Sequence, residues 1–171
     1  IYRESQNRII TMALIHEELY QREDLSSIDF ADFLQSLSDN LLNSYGIDPR
    51  RISIELDIKE VQLIIDTAIP CGLIINELVS NSLKHAFPGN KKGKIRVYLH
   101  STGNKGYSLK VSDNGVGFPK GVNFRQTKSL GLQLVTVLVD QLGGTIKMVK
   151  RKGTIFNITF KEYREAGTEL H

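Results

Sequence analysis

The chain has few of the features that mark secreted, membrane or nucleic-acid-binding proteins. Its single cysteine, Cys71, excludes an internal disulfide framework and a cysteine metal site. No apolar run approaches the roughly 18 residues that suggest a membrane span, and no signal peptide opens the chain. Nor does one sign of charge dominate, because 22 basic residues face 19 acidic ones. These absences favour a reducing, cytoplasmic setting and argue against nucleic acid as the main partner.

What is present fits one globular unit. The chain has 171 residues, 40% of them hydrophobic, and can therefore bury one substantial core. One domain is the default expectation. Because the first residue is Ile1 rather than methionine, we expect the chain to be a piece of a longer protein.

Periodicity in the sequence predicts alternating groups of helices and strands. Apolar residues recur at helical spacing, with Asp29 and Thr67 as predicted N-caps, over residues 1–22, 29–45, 67–87 and 130–142. Predicted strands, which we pair as successive hairpins, cover residues 52–58, 61–65, 95–100, 107–112, 145–149 and 154–160. This order predicts an α/β sandwich of the α+β class, with one mixed sheet, helices on a single face and a preceding N-terminal helix.

The predicted helix over residues 67–87 carries a strip of polar side chains. Glu77, Asn81 and His85 recur at intervals of four, and Lys84 lies beside them. An Asn oxygen together with nucleotide phosphates suits Mg²⁺, Lys84 or His85 could offset phosphate charge, and Glu77 could orient or deprotonate a water or hydroxyl. The same pattern describes the solvated face of an ordinary amphipathic helix, so this helix alone does not establish a site.

A glycine-containing segment follows a predicted strand. Asp113 ends that strand, where a carboxylate could accept a hydrogen bond from the amino group of adenine. Gly115 and Gly117 would let the backbone approach a planar base and let the following loop move. A simple turn at Asn114-Gly115 explains the same residues without a ligand.

Two further segments could contact the same ligand. Leu130, Gly131 and Leu132 open a predicted helix whose first backbone N–H groups could bind phosphate, although Ser129 as a simple N-cap is an alternative. Thr154, after Gly153, could hydrogen-bond near the base or could be an ordinary β-branched strand residue.

In this order and spacing, the segments resemble the GHKL superfamily of ATPases and kinases, which share the Bergerat ATP-binding fold. The matching boxes are at residues 77–87, 113–117, 129–132 and 153–154. The resemblance implies ATP and Mg²⁺ as cofactors. It makes Asn81 the magnesium ligand, Asp113 the carboxylate that reads adenine and residues 117–129 the ATP lid.

A closer resemblance is to histidine kinases with a dimerisation domain of the second HisKA type, related to the HWE kinases. Glu77 stands where the commonest histidine kinases have Asn, and Ser129 stands where Gly is common. Residues 8–20 resemble the second helix of the phosphoacceptor hairpin. The expected organisation is a hairpin helix, an ATP-binding domain and a polar tail, at residues 1–22, 29–160 and 161–171.

The pair His16-Glu17 looks like a phosphorylatable histidine with an adjacent base. The resemblance argues otherwise, because it places the acceptor histidine on the preceding helix, upstream of Ile1. His16 is then expected to be a packing residue of the hairpin.

The resemblance therefore implies a catalytic, ATP-binding fragment of a two-component sensor histidine kinase. The expected partners are a response-regulator receiver domain and a second copy of the intact protein. Glu77 and Asn81 are the expected catalytic residues, and we expect the fragment to bind ATP without efficient autophosphorylation. Two alternatives stay open: a GHKL ATPase in which Glu77 activates water, and a non-catalytic nucleotide-sensing module.

Overall fold

A computed structural model describes residues 2–20, 28–59 and 61–162 of the chain. The helices are α1 (Tyr2–Tyr20), α2 (Phe30–Ser44), α3 (Ile65–His85) and α4 (Leu130–Gln141). The strands are β1 (Ile28–Asp29), β2 (Ile52–Lys59), β3 (Gln62–Leu63), β4 (Gly93–Gly103), β5 (Gly106–Asp113), β6 (Thr145–Arg151) and β7 (Gly153–Lys161).

Five of these strands form one mixed sheet in the order β2-β4-β5-β7-β6. Only β2 and β4 pair in parallel, and the other neighbours pair antiparallel. The helices α2, α3 and α4 contact β2, β4 and β5, and β6, respectively. The predicted sandwich of one mixed sheet covered by helices is therefore confirmed.

Alternation along the strands explains which face the helices cover. Ile95, Val97 and Leu99 of β4 are buried, whereas Arg96 between them is exposed and donates to Glu55 on the neighbouring strand. A strand places successive side chains on opposite faces, so one face of the sheet is apolar and the other polar.

The predicted hairpin between residues 52–58 and 61–65 is wrong. Strand β2 pairs in parallel with β4, with Ile54 opposite Ile95, whereas β3 pairs with β1, with Leu63 opposite Ile28. A parallel pair requires a crossover connection, and α3 supplies it between β2 and β4. The hairpin between β4 and β5 is confirmed.

The start of α3 also differs from the prediction. Helix α3 begins at Ile65, and its N-cap is Ile64, which makes no side-chain cap hydrogen bond. The backbone N–H of Thr67 donates to the carbonyl of Ile64, so Thr67 already lies inside the first turn. Pro70 consequently lies in the body of the helix.

Helix α1 packs through a different face from the one that its apolar residues predict. Ile15 is fully buried, but Ile9 is 67% exposed, and Met12 and His16 are exposed as well. His16 packs against no described element, and its expected role in the hairpin stays a prediction, because that hairpin's first helix was expected upstream of Ile1. The buried face includes Asn7 and Thr11, because α1 lies against polar parts of α2 and α3.

The predicted polar tail begins within the fold. Lys161 is the last residue of β7, and the carboxylate of the next residue, Glu162, accepts a hydrogen bond from the backbone N–H of Ile64 at 2.9 Å. Residues 163–171 lie outside the described part of the chain.

Candidate nucleotide-binding site

A cavity of about 390 Å³ opens between α3, the end of β5, the loop before α4 and the start of β7. Its lining includes seven of the predicted site residues: Asn81, His85, Asp113, Gly117, Ser129, Leu132 and Thr154. The other predicted residues lie outside this lining: Glu77, Lys84, Gly115, Leu130 and Gly131. Four separate segments, spread over residues 78–156, thus meet at one cavity.

Asp113 is the buried carboxylate of the cavity. One of its oxygens, Oδ1, accepts hydrogen bonds from the backbone N–H groups of Gly115, at 2.9 Å, and Thr154, at 3.3 Å. The other, Oδ2, accepts from the hydroxyl of Ser82 at 3.1 Å. Apolar residues, including Leu78 and Phe156, line the cavity around it. A carboxylate held in a fixed position within an apolar slot is suited to a planar, amino-bearing ligand.

Glycine is required at two positions around Asp113. A Cβ on Gly153, whose φ is +98°, would lie 1.9 Å from the carbonyl oxygen of Asp113. A Cβ on Gly115 would lie 2.2 Å from the carbonyl oxygen of Ala86, at the end of α3. Gly115 therefore lets the end of β5 pack closely against the backbone at the end of α3.

Another side of the cavity has a polar wall. Asn81 and His85 line it from α3, and Asn81 Nδ2 is buried without a hydrogen-bond partner in the described part of the chain. Helix α4 starts opposite, and Ser129 at its N-cap makes no side-chain cap hydrogen bond. The uncapped first turn of a helix presents backbone N–H groups that can bind an anion.

Glu77 is buried outside the cavity lining, with 4% of its surface exposed. Arg8 of α1 donates to both of its oxygens, from Nε to Oε1 at 2.7 Å and from Nη2 to Oε2 at 3.0 Å. Asn76 Nδ2 donates to Oε1 as well, at 3.0 Å. The hydrogen bond to Glu77 raises the pKa of Arg8. A Cβ on Gly131 would lie 2.4 Å from Glu77 Oε2, so this carboxylate also contacts the start of α4.

Lys84 points away from the cavity. Its ammonium group pairs with Glu4 of α1, which lowers the pKa of Glu4, and lies 5.8 Å from the ring centroid of Tyr45. It lines a separate cleft between α1 and Tyr45. Two of the four polar residues of the predicted strip therefore bind α1.

The loop between β5 and α4 covers part of the cavity through Phe118, Pro119 and Val122. Lys150 Nζ of β6 donates to the carbonyl oxygens of Pro119, at 2.8 Å, and Val122, at 3.1 Å. The loop contains one short 3-10 helix, Phe124–Gln126, and is otherwise irregular, as predicted.

Comparison with protein families agrees with this geometry. The model of the histidine kinase-, DNA gyrase B- and HSP90-like ATPases matches residues 66–164, which hold all four segments of the cavity. The chain belongs to this ATPase family. A second model, that of the HisKA_2 histidine kinases, matches residues 1–45.

Two relatives of this chain are named as histidine kinases. "Sensor histidine kinase PdtaS" of Mycobacterium tuberculosis is 28% identical over 170 residues, which cover 98% of this chain and 31% of the relative. "Blue-light-activated histidine kinase 2" of Erythrobacter litoralis is 25% identical, over 82% of this chain and 42% of the relative. The chain thus spans less than half the length of these relatives.

Solved structures share the fold of this ATPase domain. The histidine kinase domain of a blue-light activated histidine kinase from Erythrobacter litoralis superposes with a TM-score of 0.82 at 22% identity. The match covers 92% of this chain and 74% of that one. Among the described residues, no helix is both long enough and apolar enough to cross a membrane.

Sequence patterns missed three residues that shape the ATPase site: Ser82, Arg8 and Lys150. Ser82 could have been found, because it falls on the buried stripe of α3 with Ile75 and Leu78, where a polar residue needs a partner. No local signal marks Arg8 or Lys150, whose partners lie on other elements.

Proposed function

We propose that the chain is the ATP-binding catalytic part of a sensor histidine kinase. The intact protein would transfer the γ-phosphoryl group of Mg-ATP to a histidine and then to an aspartate of a response-regulator receiver domain, and it would act as a homodimer. The observation that carries the nucleotide assignment is the fixed carboxylate of Asp113 in an apolar cavity, opposite the uncapped start of α4. The match of residues 1–45 to histidine kinases supports the reaction class.

In this proposal the two ends of the cavity have separate tasks. Asp113 accepts a hydrogen bond from the exocyclic amino group of adenine, and Thr154 and Gly117 border the base. The start of α4, with Ser129 to Leu132, binds the phosphates through backbone N–H groups. His85 lies on the same wall as Asn81, where an imidazole can offset or hydrogen-bond phosphate oxygens. Phosphoryl transfer depends on this positioning and on charge neutralisation.

The residues present fit one magnesium ion held mainly by the nucleotide. No group of three or more His, Cys, Asp or Glu side chains within residues 2–20, 28–59 and 61–162 could hold a metal ion. Asn81 lines the cavity, and its amide nitrogen has no hydrogen-bond partner among the described residues, so no partner of this nitrogen fixes the orientation of the amide. Mg²⁺ keeps several waters and binds through few protein ligands together with phosphates, so the Asn81 amide oxygen is a sufficient protein ligand. When bound, the ion would neutralise phosphate charge.

The test of the nucleotide assignment is binding of ATP and GTP by the Asp113→Asn variant, measured by calorimetry with Mg²⁺. A carboxylate accepts from the amino group of adenine but repels the carbonyl oxygen at the same position of guanine. We therefore expect the wild type to bind ATP more tightly than GTP. The variant should bind ATP about 10- to 100-fold more weakly than the wild type and should discriminate little between ATP and GTP.

Asp140→Asn is the matched control, because Asp140 is exposed on α4. It should leave both affinities unchanged. Wild-type affinity for ATP in a folded Asp113→Asn variant would overturn the assignment of the adenine site. The kinase reaction itself is tested on the intact parent protein, where γ-labelled ATP should yield an acid-labile, base-stable phosphohistidine.

A further inference from the structure

Two ion pairs join α1 to α3, one on either side of Asn81. Arg8 pairs with Glu77, four residues before Asn81, and Glu4 pairs with Lys84, three residues after it. The earlier residue of α1 meets the later residue of α3, so the two helices align in opposite directions. Residues four and seven apart on a helix lie near one face, so both pairs belong to one interface. We call these four side chains the charge clamp.

Within the charge clamp, protein groups engage both oxygens of the Glu77 carboxylate. Arg8 donates to both oxygens, Asn76 donates to Oε1, and 4% of the residue is exposed. A general base must reach the proton that it abstracts, directly or through one water. With its oxygens engaged and its side chain outside the cavity lining, Glu77 is not placed for that task in this conformation.

Glu77 is nevertheless connected to the phosphate side of the cavity. Its Oε2 lies against Gly131, in the first turn of α4, and its helix carries Asn81 one turn later. Loss of Arg8 would leave an unpaired carboxylate at the point where α4 is expected to bind phosphate. An unpaired buried charge is costly, and a negative one there would repel an anion.

We propose that the charge clamp docks α1 onto the nucleotide-site helix, and that Glu77 is the anchor of this contact rather than the base of the reaction. Arg8 is then a positioning residue that links the position of α1 to phosphate binding. Such a link is reciprocal: if docking of α1 favours phosphate binding, bound nucleotide favours docking. The effect on nucleotide affinity rests on the proposed function, whereas the docking of α1 does not.

The docking is tested by hydrogen exchange of α1 amides in the whole chain without nucleotide. Breaking a partly buried, hydrogen-bonded pair should lower protection of α1 about tenfold or more in Arg8→Met and in Glu77→Gln. The double variant should lower the protection of α1 no further than either single variant does, because both substitutions remove the same contact. Glu17→Gln, which removes an exposed charge of the same helix, is the control and should change protection less than about twofold. Unchanged protection in Arg8→Met, or additive losses in the double variant, would overturn the clamp.

The link to phosphate is tested by binding of ATP and of adenosine to the same variants. Arg8→Met should weaken ATP binding several-fold and leave adenosine binding unchanged. The double variant, which also lacks the Glu77 charge, should bind ATP with restored affinity. Equal weakening of ATP and adenosine, or no weakening of either, would overturn the link. If the wild type binds neither ligand, the proposed function fails, while hydrogen exchange still decides whether the clamp exists.

Discussion

The two sides of the cavity are built by different means. The floor around Asp113 has three hydrogen bonds to one carboxylate, and neighbouring glycines leave no room for a side chain. Two hydrogen bonds from Lys150 hold the part of the loop that covers the cavity, and a Cβ on Gly121 in this part would meet no atom within 4 Å. The floor is therefore closely packed, whereas the loop has open space around Gly121.

This difference suits the nucleotide that we propose as the ligand. A base of constant shape is best bound by a preorganised pocket, because ordering the protein on binding costs affinity. In the proposed function the phosphates, which differ between ATP and ADP, bind at the start of α4, where this loop ends. Three substitutions test the contrast between floor and loop.

The largest effect is expected for Gly153→Ala. The new methyl group would overlap the carbonyl oxygen of Asp113, and the residue would have to keep a φ of +98°. We expect a loss of about 3 kcal/mol or more in the free energy of unfolding, measured by urea denaturation, together with loss of ATP binding. Gly46→Ala is the control, because Gly46 also has a positive φ but no atom near its Cβ position. It should cost only about 1 kcal/mol, and an equal cost at both positions would show that the floor is not closely packed.

A smaller effect, confined to the loop, is expected for Lys150→Met. The substitution removes the hydrogen bonds to the carbonyl oxygens of Pro119 and Val122 but exposes no core residue. Stability should change by less than about 0.5 kcal/mol, while trypsin cleavage after Lys120 should become several-fold faster. Lys147→Met, on an exposed position of the same strand, should leave the cleavage rate unchanged. Unchanged cleavage in Lys150→Met would mean that Lys150 does not hold the loop.

The smallest effect on ATP binding is expected for Gly121→Ala. An alanine that keeps the φ of +76° at this position costs up to about 1 kcal/mol, but no atom lies close to the added methyl group. ATP affinity should stay within about twofold of wild type by calorimetry, since the loop can shift to relieve the strain. A loss as large as that of Gly153→Ala would contradict the division between a rigid floor and an adaptable loop.

Much of the fold follows from local patterns in the sequence. The hairpin between β4 and β5 has alternating apolar residues and a tight turn at Asn104 and Lys105, both with positive φ. The hairpin predicted for β2 and β3 was wrong because nothing local distinguishes an antiparallel neighbour from a parallel partner beyond a helix. The same limit applies to α1, whose packed face is set by charged residues of α3 some 70 positions away.

The candidate site likewise has features that local sequence patterns predict and features that depend on distant contacts. Asp113, Asn81 and the start of α4 lie at the cavity, where spacing in the sequence placed them. Spacing alone did not separate Asn81 and His85 from Glu77 and Lys84, since all four lie on one side of α3. Which of them faces the cavity depends on where α1 packs, and that depends on contacts over long distances in the chain. The roles of these residues stay predictions until binding is measured.

The hydrogen bond from Ser82 to Asp113 has a consequence for how the two ends of the site move. Ser82 and Asn81 are neighbours in one helix, so a single peptide bond separates the residue that fixes the carboxylate of the floor from the residue proposed to hold the metal. Any tilt or slide of α3 must displace both together. In the proposed function, a movement of α3 would therefore shift the groups that bind the base and the metal in the same direction.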